Sequence, residues 1–250
     1  MRPLARPAAR LRLFCLPYAG GAASLFRGWP QSLPADTEVC AVQLPGRGSR
    51  FREQPFERLP ELVQAVADGL QPFLDRPFAL FGHSMGAVVA FELARELRRR
   101  GSADPGHLLV SGHQAPRLPD REPPLSHLPD AEFVEEIRRR YQGIPGEVLA
   151  EPELLELMLP ILRADVRALE SYRYAAEAPL ECPISCFGGE DDTQLPQEDI
   201  EAWREEAGGP FTLRMFPGNH FFFEAAGDAM LQALADDLGP LLHPPSPAWP

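Results

Sequence analysis

Gly82-His83-Ser84-Met85-Gly86 is the segment of this chain whose residue types and spacing point most directly to chemistry. It matches G-x-S-x-G, the strand-to-helix turn that lifts a serine hydroxyl out of the fold. Phe78-Ala79-Leu80-Phe81 before it reads as a short buried strand. Ala87 to Arg100 after it reads as a helix, with Val88, Val89, Phe91, Leu93, Ala94 and Leu97 on one broad apolar side. Side chains at 82 or 86 would crowd neighbouring backbone in so sharp a turn, whereas Ser84 is pushed to its tip. There Ser84 is a candidate nucleophile, and the Met85 N–H, at a helix N-terminus, is a candidate oxyanion donor.

A serine hydroxyl needs a base to take its proton and an acid to orient that base. In this architecture they follow in the order serine, acid, histidine, each at the end of a later strand. The run Ile184–Phe187 leads into Gly188-Gly189-Glu190-Asp191-Asp192, and Phe211–Phe216 leads into Pro217-Gly218-Asn219-His220. His220, on a glycine-containing loop, is therefore the candidate base. His83 adjoins the serine, but an elbow is expected to point successive side chains apart. His107, His127 and His243 lie at a strand start, in a helical insertion and in the tail. His113 also ends a strand, but it precedes any suitable acid. For the acid, Glu190, Asp191 and Asp192 are contiguous and remain open. The first strand ends in Leu16-Pro17-Tyr18-Ala19-Gly20-Gly21, where small residues would let a backbone N–H approach a substrate carbonyl.

Six short apolar segments can position these groups: Leu11–Leu16, Glu38–Gln43, Phe78–Phe81, Leu108–Ser111, Ile184–Phe187 and Phe211–Phe216. The spacing predicts helices over Leu59–Leu74, Ala87–Arg100, Pro196–Ala207 and Phe223–Leu238. Non-alternating strands joined by amphipathic helices imply an α/β fold with a mostly parallel sheet covered on both faces. Residues 118–178 break that alternation. Helical pattern runs over Ala131–Tyr141, Pro152–Leu159 and Ile161–Tyr174, with Pro160 expected to end or kink a helix. Sixty residues of helix are too long for a simple crossover. They predict an inserted lid over the strand ends, with residues 1–117 and 179–240 forming the core. Leu155, Met158 and Leu162 are candidates to line an acyl channel beneath that lid.

The chain has 250 residues, 44% of them hydrophobic, which suits one domain with such an insertion. Its formal net charge of −12 argues against nucleic acid or an anionic membrane as partner. No apolar run approaches the length of a membrane span, and the N-terminal stretch reads as a first strand, not a signal peptide. Cys15, Cys40, Cys182 and Cys186 read as buried thiols in a reducing cytoplasm, without a zinc set or disulfide. The proline-rich residues 241–250 are expected to be disordered. Arg98-Arg99-Arg100 and Arg138-Arg139-Arg140 suit helix C-termini.

Taken together, Leu16-Pro17-Tyr18-Ala19-Gly20-Gly21, Leu44-Pro45-Gly46-Arg47-Gly48, Gly82-His83-Ser84-Met85-Gly86, the Gly189-to-Asp192 loop followed by Trp203, and Gly218-Asn219-His220-Phe221 resemble the type II thioesterases. These are the stand-alone editing enzymes of nonribosomal peptide and polyketide synthases, and the resemblance spans about residues 11–240. It implies an α/β-hydrolase fold with a helical lid. The implied reaction is hydrolysis of aberrant acyl groups from the phosphopantetheine arm of acyl or peptidyl carrier proteins. It implies Ser84 as nucleophile, His220 as base, Asp192 as acid, and the N–H groups of Ala19 and Met85 as oxyanion donors. Thr193 stands where the family often has proline, so the register leaves Asp191 as the alternative acid. Leu44 to Gly48 gives no derivable catalytic role beyond a supporting turn. The expected protein is a cytoplasmic monomer needing no cofactor and no metal. Arg138 to Arg140 are the most visible basic patch for docking an acidic carrier. A small-molecule carboxylesterase or lipase-like enzyme would use the same triad, and a non-catalytic binding protein would normally lack one of its members.

Overall fold

The computed structural model describes residues 1–141, 151–224 and 226–243. Six strands form one sheet: β1 (Leu11–Leu16), β2 (Thr37–Ala41), β3 (Phe78–His83), β4 (Leu108–Ser111), β5 (Ile184–Gly189) and β6 (Phe211–Phe216). Their order is β2-β1-β3-β4-β5-β6, and every neighbouring pair is parallel. The chain moves outward from β1 to β2, then returns past β1 to β3. That reversal places a topological switch point between the ends of β1 and β3, where open α/β sheets form a ligand crevice.

Strand residues alternate between two apolar layers, because successive side chains point to opposite faces. Phe14, Leu16, Phe78 and Leu80 pack with α2 (Leu59–Leu70) and α3 (Met85–Arg99). Leu11, Leu13, Cys15, Ala79 and Phe81 pack on the opposite face with α7 (Gly227–Leu242). A single helical turn, α1 (Trp29–Ser32), closes that second layer beside Phe26 and Phe81. The remaining short helix, α6 (Gln197–Glu201), follows the β5 loop and continues as a 3-10 turn over Ala202–Glu206.

Between β4 and β5 the described residues form two helices, α4 (Asp130–Tyr141) and α5 (Pro152–Glu170). They enclose an apolar cluster of their own, made of Leu125, Phe133, Ile137, Leu162 and Val166, with Ala19 packed against it. Arg163 ties the pair together. It donates to the carbonyls of Ser126 and Leu128 at 2.9 Å each and lies over the Phe133 ring, 4.3 Å from its centroid.

Several boundaries differ from the sequence expectations. Pro160 does not break the helix, which runs unbroken from Pro152 to Glu170. Pro160 and Glu156 are both exposed, so water can take the carbonyl that loses its partner, and buried Leu162, Ala164, Val166 and Ala168 hold the next turns in place. The helix ends at Glu170 and does not reach Tyr174. Residues 241 and 242, expected in a disordered tail, belong to α7. The rest of that tail from 244, and residues 142–150 of the expected lid, lie outside the described residues. Cys182 lies outside any strand and is half-buried, while all four cysteines are free thiols. No helix among the described residues is long and apolar enough to cross a membrane.

Candidate active site

Ser84 sits between β3 and α3 with φ +53°, the one non-glycine residue at positive φ among the described residues. Such backbone is strained for a residue with a Cβ, and surrounding contacts must hold it. The Ser84 N–H donates to the Ser111 carbonyl at 2.8 Å, and its own carbonyl accepts from Ala87 N–H at 2.9 Å. The flanking glycines are required by close backbone approach. A Cβ on Gly82 would lie 1.9 Å from the Gly86 carbonyl oxygen, and one on Gly86 would lie 2.2 Å from that of Leu16. Ser84 itself stays half-exposed. Met85 is the first residue of α3, so its N–H is one of the helix-terminal donors without an intrahelical acceptor.

His220 and Asp192 arrive from separate loops at the ends of β6 and β5. His220 Nδ1 lies 2.8 Å from Asp192 Oδ2, and both residues are buried. The Gln194 N–H donates to Asp192 Oδ1 at 3.1 Å, which fixes the carboxylate plane. Asp191 does something else. Its N–H donates to the Gly218 carbonyl at 2.9 Å, and its Oδ2 accepts from Gly218 N–H at 3.3 Å, so it clamps the loop that carries His220. Glu190 is exposed, with its N–H bound to the Phe216 carbonyl at 2.8 Å. Of the three acids, Asp192 is the one bonded to the histidine.

The elbow does not point His83 away from this centre. Its ring lies 5.1 Å from that of His220, among Tyr18, Phe221, Phe222 and Phe223. The Ser111 hydroxyl lies 2.9 Å from its Nδ1, and its Nε2 is buried without a hydrogen-bond partner among the described residues. Burial, reinforced by His220 and His113, holds the His83 imidazole well below its ordinary pKa, so it is neutral at pH 7. His113 is also lowered, chiefly by burial; its Nδ1 lies 2.8 Å from the Gln114 carbonyl, and its own carbonyl accepts from Trp203 Nε1 at 2.9 Å. Trp203 is fully buried beneath this corner. His107 pairs with Ser185 at 2.8 Å, at the other end of the sheet.

Tyr18 to Gly21 follow β1 and form a turn closed by Gly21 N–H donating to the Tyr18 carbonyl at 2.9 Å. Ala19 is half-buried within it. Three contributors here were not assigned roles from the sequence: Arg47, Asp165 and Tyr141. Tyr141, at the end of α4, places its ring 5.1 Å from that of His220. Arg47 and Asp165 form a buried ion pair at 2.6 Å behind the Tyr18–Gly21 turn. The only sequence signal for Asp165 is a lone carboxylate amid buried Leu162, Ala164, Val166 and Ala168. Arg138 to Arg140 are less available than their spacing suggests. Arg138 pairs with Glu135, Arg139 with Glu136 and Glu122, and buried Arg140 with Glu136 and Glu122.

Among the described residues no cluster of three or more His, Cys, Asp or Glu side chains could hold a metal ion. What the site brings together is a strained serine, a buried His–Asp pair and backbone N–H groups at a turn and a helix start.

The family model Thioesterase domain matches residues 11–240. The gramicidin S biosynthesis protein GrsT of Aneurinibacillus migulanus is 44% identical over 237 residues, covering 95% of this chain and 92% of that protein. The RedJ thioesterase from the prodiginine pathway of Streptomyces coelicolor superposes with a TM-score of 0.86 at 43% identity, covering 95% of this chain and 91% of that one. The type II thioesterase BorB from the borrelidin biosynthetic cluster gives 0.86 at 39% identity, over 95% and 96% of the two chains. The chain belongs to the thioesterase family, built on the α/β-hydrolase fold, and its relatives include type II thioesterases of nonribosomal peptide and polyketide pathways.

Proposed function

We propose that this protein is a serine thioesterase that removes aberrant acyl groups from the phosphopantetheine arm of carrier proteins in nonribosomal peptide or polyketide synthesis. Ser84 is the nucleophile, His220 the base and Asp192 the acid. The observation that carries this reading is the 2.8 Å His220–Asp192 contact, built from two loops that, like the strained Ser84, follow the carboxyl ends of their strands. With Nδ1 engaged by Asp192, Nε2 is the nitrogen left to serve Ser84 Oγ. Ser84 Oγ attacks the thioester carbonyl as His220 takes its proton, and the N–H groups of Ala19 and Met85 stabilise the developing oxyanion. His220 then protonates the departing pantetheine sulfur. Water, activated by the same imidazole, hydrolyses the acyl-serine and releases a free acid. Residues 118–178 act as the lid over residues 1–117 and 179–240, and the enzyme works as a cytoplasmic monomer without a cofactor or metal.

The test is turnover of acyl groups loaded on a carrier protein and on free coenzyme A by Ser84→Ala, His220→Ala and the double variant. Each single change is expected to cost about 10⁴–10⁶ in rate, with the double little worse, since nucleophile and base act as a unit. Near-normal hydrolysis by Ser84→Ala would remove this reading.

A further inference from the structure

The turn bearing Ala19 is not held by its own strand alone. Gly20 has φ +78°, and with the Gly21-to-Tyr18 hydrogen bond this is type II turn geometry, which needs the left-handed region at its third residue. The Gly20 N–H, belonging to the central peptide of that turn, donates to Asp165 Oδ2 at 2.7 Å. Asp165 comes from α5, 145 residues further along the chain. Arg47 grips both oxygens of the same carboxylate, Nη1 donating to Oδ2 at 2.6 Å and Nη2 to Oδ1 at 2.7 Å. Arg47 also donates to the Gly21 carbonyl and to the Pro45 carbonyl, each at 3.2 Å. Gln43 closes the assembly: its Nε2 donates to the Arg47 carbonyl at 3.2 Å, and its Oε1 accepts from Ala23 N–H at 3.3 Å. Leu162, one turn before Asp165, lies against Gly20, where an added Cβ would sit 3.3 Å from its Cδ1.

Asp165 is 2% exposed and Arg47 4%. Stability alone is a poor reason for such a pair, because apolar residues of similar volume are often as good or better in its place. What apolar residues cannot do is accept a hydrogen bond from Gly20 and fix the peptide plane next to Ala19. We infer that Asp165, oriented by Arg47, is a positioning residue for the oxyanion turn, so that the seating of α5 against the turn after β1 completes the oxyanion site. This rests on the reading of the Ala19 N–H as an oxyanion donor. The carboxylate does not touch substrate. It determines where the donor beside it points, and a displacement of about 1 Å in a catalytic group can cost roughly 100-fold in rate. The effect falls on the transition state, because the planar thioester of the ground state does not yet present the oxyanion.

The experiment compares wild type, Asp165→Asn and the paired replacement R47M/D165L, with Ser84→Ala alongside. Active sites are counted by the endpoint of fluorophosphonate labelling, so that kcat refers to folded enzyme, and melting temperature is recorded for each protein. On a pantetheine thioester, kcat per site is expected to fall about 10–100-fold with KM within about twofold. The Kd of an alkyl boronate, whose tetrahedral adduct places an oxygen in the oxyanion site, is expected to rise by the same factor. R47M/D165L is expected to keep the wild-type melting temperature; should it fail to fold, the near-isosteric Asp165→Asn carries the same readouts. Wild-type kcat per site and wild-type boronate affinity in the Asp165 variants, whatever their melting temperatures, would overturn the inference. Thioester hydrolysis missing from wild type, or surviving in Ser84→Ala, would instead overturn the reading beneath it.

Discussion

Two neighbouring aspartates show how one residue of register separates orientation from scaffolding. Asp192 is bonded to His220 at 2.8 Å, whereas Asp191 clamps the backbone of Gly218. Asp192→Asn is therefore expected to cost about 10⁴ in kcat, since asparagine cannot stabilise the imidazolium and favours the wrong tautomer. Asp191→Asn should cost far less, and steady-state kinetics on one thioester checks the ranking; the reverse order would move the acid by one residue. His83 has a separate consequence. Its folded-state pKa is depressed by burial, so below about pH 6.5 the unfolded chain binds a proton that the folded chain refuses. Stability is thus full above that pH and declines as pH falls through it, by up to about 1.4 kcal/mol per pH unit for this group. His107 and His113, also depressed by burial, add in the same direction. Urea denaturation between pH 5 and 8 should show the decline, and His83→Gln should flatten it by about one proton's worth. An unchanged slope would show that His83 does not supply it.

At the scale of elements, α5 has two different halves. Leu162 is buried in the small cluster with Phe133 and Ile137 and touches the Tyr18–Gly21 turn, whereas Leu155 and Met158 are half-buried and Leu154 and Leu157 exposed. The three residues grouped by the sequence as channel lining are thereby split. Leu162→Ala should destabilise the fold by about 2–3 kcal/mol through the cavity it leaves, and lower activity on every acyl chain alike. Leu155→Trp and Met158→Trp should leave the melting temperature within about 2 °C and shift kcat/KM along a series of acyl lengths. Equal stability losses at all three positions would mean that the face only packs. The elbow and its flanking helix were legible beforehand because an apolar strand, a G-x-S-x-G turn and a 3.6-residue period are local signals. The continuity of α5 through Pro160 was not, because it depends on solvent around Glu156 and on packing partners remote in sequence.

For the molecule as a whole, a net charge of −12 repels an acidic carrier over most of the surface. The arginines at 138–140 do not form a free counter-patch, since each is paired with glutamate. Docking is then expected to be weak and to improve as salt screens long-range repulsion. kcat/KM for an acyl carrier should rise between about 20 and 200 mM salt, over which the Debye length shrinks to about 7 Å. A fall over that range would reveal a favourable electrostatic patch, and equal efficiency on carrier and coenzyme A substrates would end the carrier preference.

Some of this protein was determined by the sequence itself. Period, turn residues and strand length were enough for a parallel α/β sheet, for Ser84 at its elbow and for His220 after the last strand, because each depends on neighbours a few residues away. Family-like motifs narrowed the acid to Asp192 but left Asp191 open, since choosing between them requires knowing which carboxylate faces a loop 28 residues distant. Only the tertiary structure decided that Arg47 and Asp165, 118 residues apart, meet behind the Tyr18–Gly21 turn, and that His83 packs beside His220. Sequence spacing records what one helix or strand presents on a face; it does not record which faces the chain folds against each other, and buried ion pairs and paired arginines are made there.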